Sequence, residues 1–85
     1  MNLHEEAHIL RVKNLPCGVC GEGVTSDAHH LLENGRRVSH YAVIPLCKSC
    51  HQDSHNGVHG RAAIWRVMKK TELSVLAETI EALMK

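Results

Sequence analysis

Two pairs of cysteines constrain this 85-residue chain more than anything else in it. Cys17 and Cys20 make one C-x-x-C, Cys47 and Cys50 make the other, and 26 residues lie between the pairs. Two residues between thiols let both sulfurs of a pair turn toward one ion, and two such pairs complete the tetrahedral ligand set of a structural Zn2+. The gap is wider than that of a compact zinc ribbon. Residues 17–50 are therefore expected to form an inserted unit closed at its base by the metal. Gly18 and Gly21 follow the first two cysteines and give that turn the freedom it needs for amides to fold toward sulfur.

The rest of the composition calls for such a staple. A chain this short buries little apolar surface, and with no Phe, one Trp and one Tyr its core must be aliphatic. One domain, residues 1–85, is expected. The first residues, Met1 to Glu6, are polar and acidic rather than a signal peptide, and no apolar run is long enough to span a membrane. A cytoplasmic setting follows as the expectation, and reduced thiols there favour zinc over disulfides.

The formal charge of +1 conceals an asymmetry. Between Asn34 and Lys70 stand seven basic residues (Arg36, Arg37, Lys48, Arg61, Arg66, Lys69 and Lys70) against one acid, Asp53, whereas both flanks are net acidic. Four thiolates around one Zn2+ would take the formal charge to −1. Phosphate binding would thus depend on the local patch, not on overall charge.

Along the chain, residues 3–14 read as a helix with Leu3, Ala7 and Leu10 on one stripe that Leu15 would extend, ended by Asn14, Pro16 and Gly18. Val24 to Leu32 and Val38 to Leu46 are short, apolar and β-branched, and Glu33-Asn34-Gly35-Arg36-Arg37 between them reads as a turn. An antiparallel hairpin is expected, with Pro45 ending its second strand and the Cys47 knuckle leading into a helix. Asn56 to Gly60 reads as a turn. Residues 61–69 read as a short helix carrying Trp65, and Thr71 as the cap of a last helix to about Met84. There Leu73, Leu76, Ala77, Ile80, Leu83 and Met84 recur at helical spacing and read as core.

Histidines carry the candidate chemistry. His51 and His55 lie four apart, which puts two imidazoles on one face of the helix behind Cys50. His29 and His30 are adjacent on the first strand, so alternation sends them to opposite faces unless a bulge or an ion at the strand edge reconciles them. One is then able to hold a metal while the other activates water beside it. His4 and His8 share the four-residue spacing but have no third ligand nearby.

The order strand, His-His, turn, strand, Leu-Cys-x-x-Cys-His and helix resembles the HNH, or ββα-metal, nuclease motif in its zinc-knuckle form. The closer resemblance is to the phage Ref recombination-enhancement, or RecA-dependent, nucleases. It rests on Glu6-Ala7-His8, Cys17-Gly18-Val19-Cys20, Ala28-His29-His30, Ser39-His40-Tyr41, Ile44-Pro45-Leu46-Cys47, Cys50-His51 and His59-Gly60-Arg61 with Trp65. The resemblance implies a small α+β fold: a ββα-metal hairpin and helix over residues 25–55, stapled by the four-cysteine zinc site and flanked by an N-terminal helix and by C-terminal helices over residues 61–84. It implies a metal-dependent DNA endonuclease, encoded by phage or prophage, acting in recombination on DNA and with a RecA filament as a possible partner.

Carried over residue by residue, the resemblance makes His30 the general base and His29 a ligand of a catalytic divalent ion; the reverse assignment is the alternative. His51, His55 and His59 are the candidates for the remaining ligands, two of the three being needed. Histidine ligation suits Zn2+, Mn2+ or Ni2+ better than Mg2+, whose shell waters and phosphate oxygens would have to complete. The Asn of the motif would fall on Ala42, so Ser39, His40 or a backbone carbonyl is expected to orient the base instead. Arg36, Arg37, Lys48 and Arg61 are the candidate phosphate contacts. The alternative function is a catalytically silent zinc module that binds DNA or a recombination protein. Against it, a structural module needs only the cysteines, yet five histidines are supplied around one hairpin and helix.

Overall fold

A computed structural model describes residues 1–23, 25–52 and 63–85. Helix α1, Leu3–Lys13, starts at a capping box: the Asn2 side chain accepts from the Glu5 amide, and the Glu5 carboxylate accepts from the Asn2 amide, both at 2.8 Å. The chain then turns back, and Ser26 fastens it. The Ser26 amide donates to the Lys13 carbonyl and its hydroxyl to the Leu15 carbonyl.

The hairpin is built of two ladders. Strands β1, Asp27–His30, and β4, Val43–Leu46, pair antiparallel, with Asp27 opposite Leu46 and His30 opposite Val43. Strands β2, Leu32–Glu33, and β3, Arg36–Arg37, pair beyond them. The turn is tighter than the sequence suggests: Asn34 and Gly35 alone make it, both at positive φ, 53° and 78°, as a two-residue hairpin loop demands. Arg36 and Arg37 accordingly lie on a strand. The second half of the hairpin is not the continuous strand expected over Val38 to Leu46. Leu31 alone connects β1 to β2, whereas the five residues Val38 to Ala42 connect β3 to β4, so the longer side must bulge out of the sheet. The pinch is fixed at Leu31, whose amide donates to the Ala42 carbonyl and whose carbonyl accepts from the Val38 amide. Ser39, His40 and Tyr41 are the excursion.

Pro45 does not end the second strand, as expected of it, but sits inside β4 opposite Ala28. Its carbonyl points away from β1 and accepts from the Gly18 amide at 2.7 Å. In an antiparallel strand the N–H of a residue points the same way as its carbonyl, so the missing donor deprives no ladder bond.

All of β4 is buried, and it is the centre of the fold: α1, β1, helix α2 (Lys48–Gln52) and helix α4 (Glu72–Leu83) pack around it. Val12, Val43, Ile44, Leu46 and Val75 are fully buried, joined by Cys17, Val19 and Cys50. Helix α3, Ala63–Met68, sets Trp65 against this cluster. Thr71 caps α4 as expected, with Ser74 completing the box.

Both expected helical stripes are corrected. On α1, Leu3, Ala7 and Leu10 are exposed, and Val12 is the buried residue, with His8 and Ile9 half-buried beside it. On α4, Leu73, Ala77, Ile80 and Met84 are exposed, Leu76 and Leu83 of the expected stripe are half-buried with Leu76 against the core cluster, and Val75 and Thr79 face the core. The physical reasons are anchors that hydropathy does not weigh. His8 Nε2 donates to the Tyr41 carbonyl at 3.1 Å and fixes the rotation of α1. Thr79 satisfies its hydroxyl on the Val75 carbonyl at 2.7 Å, which lets a polar residue take a core position. Val75 itself closes over Gly18, where an added Cβ would lie 2.4 Å from Val75 Cγ1.

Candidate functional site

The sulfurs of Cys17, Cys20, Cys47 and Cys50 all lie within 4.8 Å of one another, and none forms a disulfide. Cys20 and Cys47 are 3.7 Å apart. A tetrahedron of Zn–S bonds of about 2.3 Å has edges of about 3.8 Å, so the four thiols fit a zinc ion after only small adjustment. The first knuckle is already arranged for anionic sulfur: the amides of Val19 and Cys20 approach Cys17 Sγ at 3.4 and 3.5 Å. Burial pushes the Cys17 thiol up, but these amides with that of Cys47 outweigh it and hold it at about 7. Burial pushes Cys20 and Cys50 up, and in Cys50 the neighbouring Cys47 thiol adds to the effect. Four thiolates therefore need a cation among them. Gly21 supplies the positive φ, 77°, that the turn requires, while Gly18 supplies room beneath Val75.

The histidines of β1 separate as strand alternation dictates. His29 points inward and is 8% exposed; its Nε2 lies 2.6 Å from Glu72 Oε2 at the start of α4. Its ring stands 5.1 Å, centroid to centroid, from that of His51 on α2, nearly perpendicular at 76°. His51 Nδ1 in turn lies 3.1 Å from Asp27 Oδ2. Asp27, two residues before His29, shares its face of the strand.

His30 points to the other side. Its Nε2 lies 3.1 Å from Nδ1 of His40, which the excursion between β3 and β4 carries back over the strand. Burial, then the charges of Arg37, His40 and His29, lower the pKa of His30 below that of a free imidazole, so the ring is neutral at neutral pH. Ser39 does not reach His30 among the hydrogen bonds of the described residues; its Oγ accepts from the Tyr41 amide at 3.0 Å and shapes the excursion. His8 grips the same loop from α1, with its ring 5.1 Å from that of Tyr41.

Arg36 and Arg37 are exposed on β3 and line an open polar pocket with Glu33, Asn34 and Val38. Lys48 is exposed at the start of α2. His55, His59 and Arg61, with the turn expected at Asn56 to Gly60, lie outside the described residues. Among the described residues, the four cysteines are the group of three or more thiol, imidazole or carboxylate ligands that could together hold a metal ion. Asp27 and Glu72 were not singled out by the sequence. Alternation could have found Asp27, since it shares a strand face with His29; nothing local marks Glu72, which arrives from a helix 43 positions away.

No described helix is long and apolar enough to cross a membrane. A family model described as recombination enhancement, RecA-dependent nuclease matches residues 4–81. The searches of curated proteins and of solved structures returned no match. The matched span takes in nearly all of α1, both cysteine pairs, the split hairpin and nearly all of α4, and the chain belongs to the RecA-dependent nuclease family of recombination enhancement.

Proposed function

We propose that this chain is an HNH-type, metal-dependent DNA endonuclease that hydrolyses phosphodiester bonds through a histidine-activated water, in the cytoplasm of a bacterial cell and in concert with RecA on DNA. The observation that carries the reading is the division of labour across β1: His29 faces inward beside His51, while His30 faces outward against His40. His30 is the general base. Its lowered pKa keeps it able to accept a proton at neutral pH. His40 takes the place of the Asn that the motif would put at Ala42: hydrogen-bonded to Nε2 of His30, it limits how the base can turn.

His29 and His51, with one of His55 or His59, would hold the catalytic Zn2+, Mn2+, Ni2+ or Mg2+. Such an ion, when bound, neutralises charge developing on the phosphate and on the leaving 3′ oxygen. Arg36, Arg37, Lys48 and Arg61 would grip the flanking phosphates and set the register of the strand. The zinc held by the four cysteines would fasten the base of the hairpin to α2 and so keep His51 in line with β1.

The test is plasmid cleavage across Mg2+, Mn2+, Zn2+ and Ni2+, with and without a RecA filament, using the parent protein and His30→Ala. Loss of nicking in His30→Ala with zinc content and far-UV spectrum unchanged is the expected result. Equal cleavage by the two proteins would sink the mechanism. The four cysteines that lie together would equally serve a second reading, a silent zinc module that binds DNA or a recombination protein. A single bound metal, lost on Cys47→Ser, with no cleavage under any of these conditions, would select it.

A further inference from the structure

Two imidazoles in contact at a nuclease-like site invite the question of what holds them. His29 and His51 come from different elements, one from β1 and one from α2, and each has one ring nitrogen against a carboxylate. An ionised carboxylate only accepts hydrogen bonds, so in a neutral imidazole the nitrogen facing it carries the hydrogen. Glu72 thereby places the hydrogen of His29 on Nε2, and Asp27 places that of His51 on Nδ1. The lone pairs are then on Nδ1 of His29 and Nε2 of His51. These are opposite tautomers.

The ring spacing leaves room for a shared ion. Two imidazoles on one tetrahedral cation, with metal–nitrogen bonds of about 2.0–2.1 Å, have centroids about 5 Å apart; these two stand 5.1 Å apart. Carboxylate, imidazole and cation in series is also the arrangement by which proteins raise the basicity of a ligating histidine and fix its orientation.

We infer that Asp27 and Glu72 are the positioning residues of the catalytic-ion site, each acting through one histidine: Glu72 presents Nδ1 of His29, and Asp27 presents Nε2 of His51. The inference rests on the metal-dependent reading above and extends it to the C-terminal helix. Glu72 opens α4 directly after its Thr71 cap, so the helix that packs Val75 into the core also delivers the carboxylate to His29. Neither carboxylate is a ligand in this arrangement. Both are a little over two-fifths exposed, whereas the imidazoles they hold are nearly buried.

The test uses the full chain with its structural zinc in place and Ni2+ as the probe, followed by isothermal titration calorimetry. The parent protein is expected to bind one Ni2+ and His29→Ala to lose it. Glu72→Ala and Asp27→Ala are each expected to weaken binding by about 10- to 100-fold. Glu72→Gln and Asp27→Asn, whose amide oxygens still accept from the imidazole, are expected to fall between the parent and the alanine variants, and they serve if the alanine variants fold poorly. Long-range 1H–15N spectra without Ni2+ are expected to show the hydrogen of His29 on Nε2 and that of His51 on Nδ1. Alanine variants that bind as tightly as the parent, or the reverse tautomers, overturn the inference. So does Glu72→Gln binding as weakly as Glu72→Ala, because that makes Glu72 a ligand. A parent protein that binds no Ni2+ while showing the expected tautomers overturns the metal-dependent reading itself, and its own titration tells that failure apart from a failure of the carboxylates.

Discussion

At the residue scale, the consequence of greatest chemical weight is the state of His30. Its burial, the positive charge of Arg37, and the charges that His40 and His29 carry when protonated all disfavour the imidazolium. The folded pKa is therefore below the free value of about 6.5, and in the window between the two the unfolded chain binds more protons. His30 thus contributes stability that is fully present above about pH 6.5 and is lost as pH falls through the folded value. An NMR titration of the zinc-loaded protein, with no other divalent ion added, should give His30 a midpoint below 6.5; a midpoint above it would mean that an acid faces the ring. His40 supports a second prediction. Because its Nδ1 is the partner of His30 Nε2, His40→Ala should lower the cleavage rate by about 10- to 100-fold at saturating DNA, as loss of an orienting partner does elsewhere. DNA affinity should change little. A rate within twofold of the parent would assign the orienting role to another group.

At the scale of elements, the molecule depends on a few close approaches to β4. Gly18 donates its amide to Pro45 and lies under Val75, where a Cβ would meet Val75 Cγ1 at 2.4 Å and the Pro45 carbonyl at 3.3 Å. Gly18→Ala should accordingly destabilise the protein by about 1–3 kcal/mol, the usual cost of overpacking, measured by urea denaturation of the zinc-loaded form. Gly21→Ala would act instead through its positive φ, with open space around it. How legible these elements are depends on the range of the interactions that fix them. The cysteine spacing and the Asn34-Gly35 turn are local and can be read directly. The antiparallel pairing follows from them. The faces of α1 and α4 cannot be read the same way, because the rotation of each helix is set by a partner far along the chain: Tyr41 for His8, Leu83 for Arg11, Gly18 for Val75. Stripes of Leu at helical spacing point elsewhere. The site divides similarly. The inward and outward placing of His29 and His30 follows from alternation, whereas the sequence leaves Ser39, His40 and a backbone carbonyl as equal candidates beside His30, and only the excursion before β4 brings the His40 ring to it. Glu72 depends on the docking of α4, which no local pattern encodes.

At the scale of the whole molecule, charge and metal decide what the chain can do alone. Arg36 and Arg37 project from the tip of the hairpin with no acid among the hydrogen-bond or ion-pair partners of the described residues. Replacing both with Ala should weaken DNA binding across sequences and flatten its salt dependence by about two charges' worth of slope. An unchanged slope would place the DNA on another face. The metal has the larger effect. The five fully buried side chains, Ile44, Leu46, Val12, Val43 and Val75, form a small aliphatic core with no aromatic ring among them. Domains of ordinary size have net stabilities of only about 5–15 kcal/mol, and one this small stands toward the bottom of that range. Structural zinc contributes about 10–16 kcal/mol in small zinc-dependent peptides near neutral pH. The ion among the four cysteines here would join the turn after α1 to the start of α2, and Cys17 and Cys50 belong to the buried cluster themselves. Removing it would leave buried thiols and a hairpin held at one end only. Stripping the zinc with a strong chelator should therefore abolish cooperative thermal unfolding, and Cys47→Ser should do the same at micromolar zinc. Readdition of Zn2+ should restore the transition in the parent and not in the variant. A stripped parent protein that keeps its spectrum and a cooperative melt would show that the aliphatic core suffices and that the four cysteines serve something other than the fold.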